Sequence, residues 1–503
     1  MASSDAVAGG IPRSGGGRIR GAAGRPPLAH GSTTPPGGVI SAPGWAGDLL
    51  QWPWLPLVPL LAIPILGAST ENIRHVILAM ELIFLAKAIE NPVWVLGALV
   101  LSELTMRNYY LLLVASSIIL LPHFLDGRQL APNARRMAIL AFSFVALVSL
   151  SDVMASDLSH AYPFAKSMVV GVVALFIVPL AIKTKDDLRQ VGIAALVTVA
   201  ASAALAIVQQ LAGALVIDLT PVTAGADAAT WAGRSTGLAG NPIRLSNDLM
   251  LFLFPIIGLL VTKAVPQRAR PFLILLSLLL LVALTFSQTR TWIPAAVTAG
   301  AVMALVMGLR LRKELLLLLP AMALLFIAGS TFLENRYSRN LADDSSVADR
   351  PVLWLAAFNI ATDHPVLGVG HDGFLQLAPR YAQEIDPGLL AHENAGEALG
   401  QLEPHNDYLN VWSSFGTGAL LVYVALLFFT GRNFVQAHHQ SGDPFVRGIA
   451  VGGLGALVAF AVNSFFHNFF TGTLTVWILA GLSLAILQLS NAYPQPPPGK
   501  AKP

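Results

Sequence analysis

The chain lacks cysteine altogether and is poor in charged residues. None of its 503 residues is Cys, which excludes disulfides, thiolate nucleophiles and metal sites with Cys ligands. Asp, Glu, Lys and Arg make up only 12% of the chain, far below the roughly 25% that soluble domains carry. Because 55% of the residues are hydrophobic and the mean hydropathy is +0.65, the composition predicts an all-α polytopic membrane protein.

The small charge imbalance predicts no nucleic-acid partner. The chain has 31 Lys and Arg residues against 28 Asp and Glu, which leaves a formal net charge of only +3. The basic residues gather in short loops between apolar runs. Loops rich in Lys and Arg stay in the cytoplasm, so they predict which side of the membrane each connection faces.

Two polar tails flank the apolar part of the chain. Residues 1–46 are rich in Gly, Pro, Ser and Ala and offer too little apolar surface to fold, so they predict a disordered cytoplasmic tail. No apolar region follows the early arginines until about residue 49, so a cleavable signal peptide is not expected. Residues 491–503 predict a second short cytoplasmic tail.

Residues 47–331 and 409–490 are predicted to hold the transmembrane helices. Four candidate spans lie near residues 52–68, 74–89, 91–105 and 109–124. Ten clearer ones lie near residues 137–151, 167–182, 190–212, 245–262, 271–288, 291–309, 314–331, 409–430, 447–466 and 472–490. The second and third candidates are short or charged, so 12 spans are predicted if they form a non-spanning pair and 14 if both cross.

Basic loops alternate along the chain with loops that carry few Lys or Arg residues. The predicted cytoplasmic loops hold Arg128, Arg135 and Arg136; Lys183, Lys185 and Arg189; Lys263, Arg268 and Arg270; Arg310, Arg312 and Lys313; and Arg432 and Arg447. The loops between them are then expected to face outward, with both termini inside. The largest outward loop, residues 332–408, is predicted to be a helical periplasmic loop that packs on the membrane helices.

This large loop has recognisable helix and turn signals. An amphipathic helix is predicted to begin at Arg350 and to stop near Pro365. Gly368, Gly370 and Gly373 match the spacing of a dinucleotide-binding GxGxxG, but no strand precedes them and no βαβ unit surrounds them. They are therefore predicted to be turn glycines and not a nucleotide site.

His405 stands before the apolar run 411–429 and puts a titratable ring at the mouth of a predicted span. Polar groups at such a boundary are costly unless they face water, a partner or a substrate. A His there is either an interfacial helix cap or a chemical group. Arg290 poses a similar choice, since arginines near span ends often only snorkel to headgroups. Its turn is so short, however, that its guanidinium must lie at the membrane edge and needs an anion.

A metal site is not expected from the sequence. The candidates His364, His371, His392 and Glu393 lack a regular ligand spacing, and the chain offers no Asp-x-Asp cluster.

Several short motifs occur in an order that resembles a known family. They are Ser287-Gln288-Thr289-Arg290 at a span end, Arg350 with Trp354, His364-Pro365-Val366-Leu367-Gly368-Val369-Gly370 with Phe374, and His405-Asn406 with Gly416. This ordered set, over about residues 275–430, resembles the O-antigen ligase-like domain. That domain is shared by bacterial O-antigen ligases, related O-antigen and exopolysaccharide polymerases, and some protein O-oligosaccharyltransferases. The segment from Arg234 to Asn241 also looks like the family.

Two positions depart from the family pattern. Ala419 stands where the family commonly has Gly, and Thr289 replaces the usual Ser before Arg290. Neither change removes a chemical group that the reaction needs. Ligase and polymerase both remain open.

The resemblance implies transfer of a glycan from an undecaprenyl-diphosphate-linked donor to a hydroxyl of a glycolipid or glycan acceptor, on the periplasmic face of the bacterial inner membrane. Arg290 and Arg350 are then expected to hold the diphosphate, because guanidinium forks bind phosphate oxygens bidentately. His405 is expected to be the general base. Further substrate contacts are expected from Arg234, Asn241, Asn406, Trp354 and His467. The scheme needs no cofactor and no metal.

Two other classes of function compete with glycan transfer. A polytopic transporter is disfavoured because the polar groups gather on the outward side and not at the midplane, and no inverted repeat is apparent. A scaffold or a flippase partner would not need two outward arginines and a histidine.

Overall fold

The computed structural model describes residues 55–62, 70–105, 109–125, 132–155, 158–211, 233–308, 350–387, 403–470 and 473–495. Within these segments the chain forms α-helices and short 3₁₀ turns but no β-strand. The α-helices are α1 Thr70–Glu90, α2 Trp94–Leu104, α3 Tyr109–Leu125, α4 Pro132–Ala155, α5 Leu158–Ala181, α6 Lys185–Leu211, α7 Pro242–Val261, α8 Arg270–Phe286, α9 Trp292–Val306, α10 Arg350–Asp363, α11 His371–Ile385, α12 Asp407–Gln440, α13 Pro444–Asn463 and α14 Thr475–Ala492. The expected all-helical membrane architecture is confirmed.

Among the described residues, seven helices are long and apolar enough to cross a membrane. They are α4, α6, α7, α8, α12, α13 and α14. Shorter apolar helices include α2 and α9. The predicted span at 314–331 lies outside the described residues, so the total of 12 to 14 crossings stays a prediction.

Glycines let the central helices approach closely. α7 packs against α13, where a side chain at Gly452 would collide with the backbone of α7 and one at Gly448 with the Thr262 hydroxyl that follows α7. The two glycines are four residues apart and therefore lie on one face of α13. Small residues at this spacing bring membrane helices into backbone contact. The resulting van der Waals packing stabilises the helix pair, since the hydrophobic effect does not drive helices together in lipid. α13 also packs against α9, α12 and α14, so it occupies the centre of the bundle.

α12 is broken one quarter of the way along its length. Gly416 has φ +82° and ψ 174°, which is not helical, so the helix consists of the two segments 407–415 and 417–440. The break frees backbone groups that would be costly inside a membrane. The freed carbonyl of Ser414 accepts from the Gly370 N–H at 2.8 Å, and the Thr417 N–H donates to the Pro365 carbonyl at 2.9 Å.

The loop of residues 365–370 thus fills the break in α12. Close approach needs glycine on both sides: a side chain at Gly368 would collide with the backbone of Ser414, and one at Gly416 with the carbonyl of Val366. Both glycines also have positive φ. The prediction of turn glycines is therefore confirmed for Gly368 and Gly370 and is wrong for Gly373, which lies inside α11. The turn seats this loop in a membrane helix.

α10 and α11 are joined by this loop and dock on the bundle. α10 runs from Arg350 to Asp363, so the predicted helix and its stop before Pro365 are confirmed. The prediction that it is amphipathic is wrong, because Leu355 and Phe358 lie on its exposed face. The first N–H of α11, at His371, donates to the Asp152 carboxylate near the end of α4 at 2.8 Å. The Ser151 hydroxyl donates to the carbonyls of Leu367 and Ser414. The described part of the large loop is thus fixed to α4 and to the first segment of α12.

Candidate active site

His405 lies immediately before α12 in a strained backbone conformation. Its φ is +46°, in the left-handed region that residues with a Cβ rarely adopt. The residues on either side are anchored: the Pro404 carbonyl accepts from Trp354 Nε1 at 2.8 Å, and the Asn406 side chain accepts from the Tyr408 and Leu409 N–H groups at 3.0 Å each. Asn406 is therefore the helix cap, and His405 is not needed for that role.

The charged neighbours of His405 come from two parts of the chain. Arg350, at the start of α10, is close enough to act on the ring electrostatically, and Glu403 acts with the opposite sign. Burial lowers the pKa of His405 below its ordinary value, Arg350 lowers this pKa further, and Glu403 raises it. The net direction is downward, so the ring is neutral at neutral pH and has a free lone pair to accept a proton.

The connection between α13 and α14 is clamped to the His405 region. The Asn468 side chain accepts from the Asn406 N–H at 2.8 Å and donates to the Glu403 carboxylate at 2.5 Å. The fully buried Asp407 carboxylate accepts from the consecutive N–H groups of Phe469 and Phe470 at 2.9 Å each. These four bonds fix the backbone on both sides of His405.

The same connection reaches the turn that carries Arg290. His467 Nε2 and the Thr291 hydroxyl are 3.2 Å apart, and His467 is only 6% exposed. Arg290 is half-buried in the turn between α8 and α9. A chain of contacts therefore runs from the Arg290 turn through His467 and Asn468 to the residues next to His405. The three predicted catalytic residues, Arg290, Arg350 and His405, all lie at this one end of the bundle.

Arg234 is buried against the Arg290 turn and not against His405. Its Nε donates to the Ser287 carbonyl at 3.1 Å and its Nη2 to the Thr289 hydroxyl at 3.0 Å. The Gln288 side chain donates to the Gly233 carbonyl at 2.8 Å, and Gln288 itself has φ +52°. Arg234 thus braces a strained turn, which is a positioning contact that the sequence does not reveal.

Asn241 caps α7. It stands before Pro242, and its side chain accepts from the N–H groups of Ile243 and Arg244 at 2.9 Å and 3.1 Å. The Thr289 hydroxyl donates to the Pro242 carbonyl at 3.2 Å. Asn241 therefore lies beside the Arg290 turn, with its carbonyl oxygen engaged in the cap.

Sequence reasoning missed several residues that shape the site. Asp407, Asn468 and Glu403 hold His405 in position, and Ser151 and Asp152 hold the loop of residues 365–370. Polar residues in an apolar stretch are the only sequence signal for them. Their partners lie tens to hundreds of residues away, so the signal marks the residue and not its contact.

The arrangement offers acid–base and anion-binding groups. Among the described residues, no group of three or more His, Asp or Glu side chains is placed to hold a metal ion. His392 and Glu393 lie outside the described residues. The end of the bundle that holds His405 combines two half-buried guanidinium groups with a half-buried neutral imidazole.

Comparison with known proteins identifies part of the chain. The family model described as O-antigen ligase matches residues 275–424. This range contains Arg290, Arg350, His405 and the kink at Gly416, and the resemblance drawn from the motifs is confirmed. No curated protein matches the chain.

Proposed function

Because residues 275–424 match the O-antigen ligase family, a family of membrane glycan-processing enzymes, we propose that this chain transfers a glycan from undecaprenyl diphosphate to an acceptor hydroxyl. The acceptor is a lipid A-core or a similar glycolipid, and the reaction takes place on the periplasmic face of a bacterial inner membrane. His405 is the general base, Arg290 and Arg350 hold the diphosphate, and no metal takes part.

One observation carries this proposal: two arginines and a neutral histidine converge from distant parts of the chain. Arg350 is close enough to His405 to lower its pKa, and the Arg290 turn is linked to the His405 region through His467 and Asn468. Burial and the Arg350 guanidinium both lower the pKa of His405, which favours the neutral ring, and the guanidinium also attracts an anion. Both properties suit a reaction that expels a diphosphate while a hydroxyl loses its proton.

The proposed reaction is a single displacement. The acceptor oxygen attacks the anomeric carbon, its proton passes to His405, and the bond from that carbon to the diphosphate oxygen breaks. The electron pair of this bond stays on undecaprenyl diphosphate, where Arg290 and Arg350 stabilise the charge that develops. Attack from the face opposite the leaving group inverts the anomeric configuration.

A polymerase is the second candidate within the same family. It would use the same donor and the same three residues, but the acceptor hydroxyl would belong to another undecaprenyl-linked repeat unit. Ala419, which stands in α12 where the family commonly has Gly, weakens the case for a ligase relative to a polymerase.

Reconstituted protein distinguishes the candidates. Liposomes that contain the purified chain receive a lipid-linked oligosaccharide, with and without lipid A-core. Glycan on lipid A-core identifies a ligase, and longer lipid-linked chains without the acceptor identify a polymerase. If neither product forms while the glycan lipid itself crosses the bilayer, the chain is a transporter and the proposal fails.

A further inference from the structure

A large apolar cavity runs through the bundle from the connection between α7 and α8 to Glu103 on α2 and Thr475, the first residue of α14. Its volume is about 690 Å³, it is lined by α2, α5, α6, α7, α13 and α14, and it is open near Ile193 and Phe272, which are each 63% exposed. From α8 and the connection before it, only residues 264–273 contribute. α8 is 17 residues long, which is about 25 Å, and the Arg290 turn follows its far end. On the α8 side the cavity therefore ends well short of the Arg290 turn.

The inner end of the cavity is closed by buried polar groups. The Glu103 carboxylate lines it and accepts from the Leu474 N–H at 3.2 Å and from the Thr475 hydroxyl at 3.3 Å. Arg244 Nη2 lies 3.8 Å from the same carboxylate. A hydrocarbon chain cannot pass these hydrogen-bonded groups without breaking them. The cavity is thus entered from its other end.

The mouth of the cavity is basic. Arg189 lines it, and the adjoining connection between α7 and α8 carries Lys263, Arg268 and Arg270. Among the described residues, Lys263, Arg268 and Arg270 form no ion pair. Arg189 pairs with Asp186 at 2.9 Å, but both side chains are more than half exposed, and such a pair is weak. The positive-inside rule assigns this end to the cytoplasm.

Along α13 the cavity is about as long as one leaflet of a bilayer is thick. On α13 its lining runs from Phe445 to Ala456, a rise of about 16 Å along the helix. The hydrocarbon core of a bilayer is roughly 30 Å thick, so one acyl chain reaches about 15 Å. The donor's polyprenyl chain does not suit this cavity, because its diphosphate would lie at the basic mouth and not at the proposed catalytic end.

We propose that this cavity binds an anionic phospholipid of the cytoplasmic leaflet, with one acyl chain inside and the phosphate at Arg189 and Arg268. Basic pockets between membrane helices on the cytoplasmic side are typical sites for anionic headgroups. The inference is independent of the proposed glycan transfer, since none of these residues belongs to the candidate active site.

Two glycines make a matched test of the cavity. A Cβ at Gly192, which lines the cavity, and one at Gly300 in α9, which does not, would each meet no atom within 4 Å. Gly192→Leu therefore fills the cavity without a backbone clash, and Gly300→Leu is its control. Purified protein in detergent is titrated with dioleoyl phosphatidylglycerol or dioleoyl phosphatidylcholine, and native mass spectrometry counts the bound lipids.

We expect wild type and Gly300→Leu to retain one phosphatidylglycerol in preference to phosphatidylcholine, and Gly192→Leu to lose it. Replacing Arg189 and Arg268 together by Gln should weaken phosphatidylglycerol binding by roughly 30-fold. Arg432→Gln, which removes a basic residue of α12 at the same end, should leave binding unchanged.

Three results would overturn the proposal. They are equal retention of the two lipids by wild type, unchanged binding in Gly192→Leu, and displacement of phosphatidylglycerol by undecaprenyl phosphate in wild type. The last result would assign the cavity to the carrier chain. If Gly192→Leu does not fold, the double arginine variant and its Arg432→Gln control decide the question.

Discussion

The two ends of the helical bundle use arginine in different ways. At the end that holds His405, Arg234 is only 5% exposed and its guanidinium donates to a carbonyl and a hydroxyl of the Arg290 turn. At the other end, Arg268 and Arg432 are exposed and form no ion pair with any described residue. A buried guanidinium is costly unless its N–H groups are bonded. The first end therefore fixes arginine geometry, whereas the second only presents positive charge.

The comparison also extends to the backbone. The end near His405 has non-glycine residues with positive φ at Gln288 and His405, and at the other end Lys263 is in this conformation. Lys263 is exposed in a short helix connection, whereas Gln288 is buried and hydrogen-bonded. A strained backbone conformation persists only when surrounding contacts hold it in place. Such conformations are typical of functional sites.

The largest effect is expected from a test of which end faces outward. A reporter that is active only outside the cytoplasm should work when fused within residues 340–400 and should be inactive when fused near Arg312 or Arg432, because the basic loops keep their end in the cytoplasm. Reporter activity of fusions in cells measures this directly. The opposite pattern would invert the topology and remove the periplasmic assignment of His405.

Substitutions of His405 and His439 test whether only the first of the two ends of the bundle takes part in catalysis. His405 lies just before the first residue of α12, and His439 is exposed in the last turn of the same helix. His405→Ala should reduce glycan transfer about 100-fold to 10,000-fold, the usual loss for a general base, whereas His439→Ala should have no effect.

His405→Asn tests the same point without a change in backbone preference. Asn tolerates the left-handed conformation that His405 adopts, but it cannot take up a proton. Transfer from a lipid-linked donor, measured with purified protein, should be as low in this variant as in His405→Ala. Activity near wild type in either variant would leave His405 with no catalytic role, since Asn406 already supplies the helix cap.

Arginine replaced by lysine distinguishes fixed geometry from positive charge. Arg290→Lys and Arg350→Lys should each weaken binding of undecaprenyl diphosphate by roughly ten-fold to a hundred-fold, because an ammonium does not reproduce the guanidinium fork. Arg432→Lys, at the other end, should bind the carrier normally. Titration of purified protein with the carrier lipid measures all three. Unchanged affinity in both site variants would move the cationic site elsewhere, and Arg234 would be tested next.

The kink in α12 gives a smaller, structural effect. Gly416→Ala forces a side chain into a positive φ and against the Val366 carbonyl, at a cost of at least about 1–3 kcal/mol. The melting temperature in detergent and the transfer rate should both fall. Gly418→Ala is the control, since its Cβ would meet only Leu147 at 3.7 Å. Equal melting temperatures for the two variants would mean that the loop of residues 365–370 does not hold the kink.

The sequence predicted elements whose signal is local. The apolar runs predicted near 245–262, 271–288 and 447–466 correspond to α7, α8 and α13 within a few residues. The helix α10 was predicted because a Pro at the second helical position and a His-Pro stop are local signals. Hydrophobic length and helix punctuation are properties of neighbouring residues, so no distant contact is needed to find them.

The long-range contacts of the site were not predictable in the same way. The Gly416 break occurs inside the span predicted at 409–430, next to Ser413, Ser414 and Thr417, and its freed backbone groups are bonded by residues 365–370. Likewise, the sequence alone predicts that Arg234 snorkels to headgroups or binds a ligand, whereas in the structure it is bonded to the Arg290 turn. Residue identity marks such positions as unusual, but the partner depends on how the helices pack.

The smallest expected effect is a shift in pH dependence, and its sign is set by the neighbours of His405. The base form of His405 is present above its pKa, so kcat/KM should fall as the pH drops through this pKa, which lies below the ordinary value for histidine. Arg350 lowers the pKa, so Arg350→Gln should move the acidic limb of the residual activity to higher pH. Glu403 raises it, so Glu403→Gln should move the limb to lower pH.

The measurement is kcat/KM against pH for wild type and both variants, since this ratio reports the free enzyme. Gln at position 403 keeps an oxygen for the Asn468 hydrogen bond, so the change there is mainly one of charge. Shifts in the same direction, or no shift in either variant, would show that the acidic limb belongs to a group other than His405.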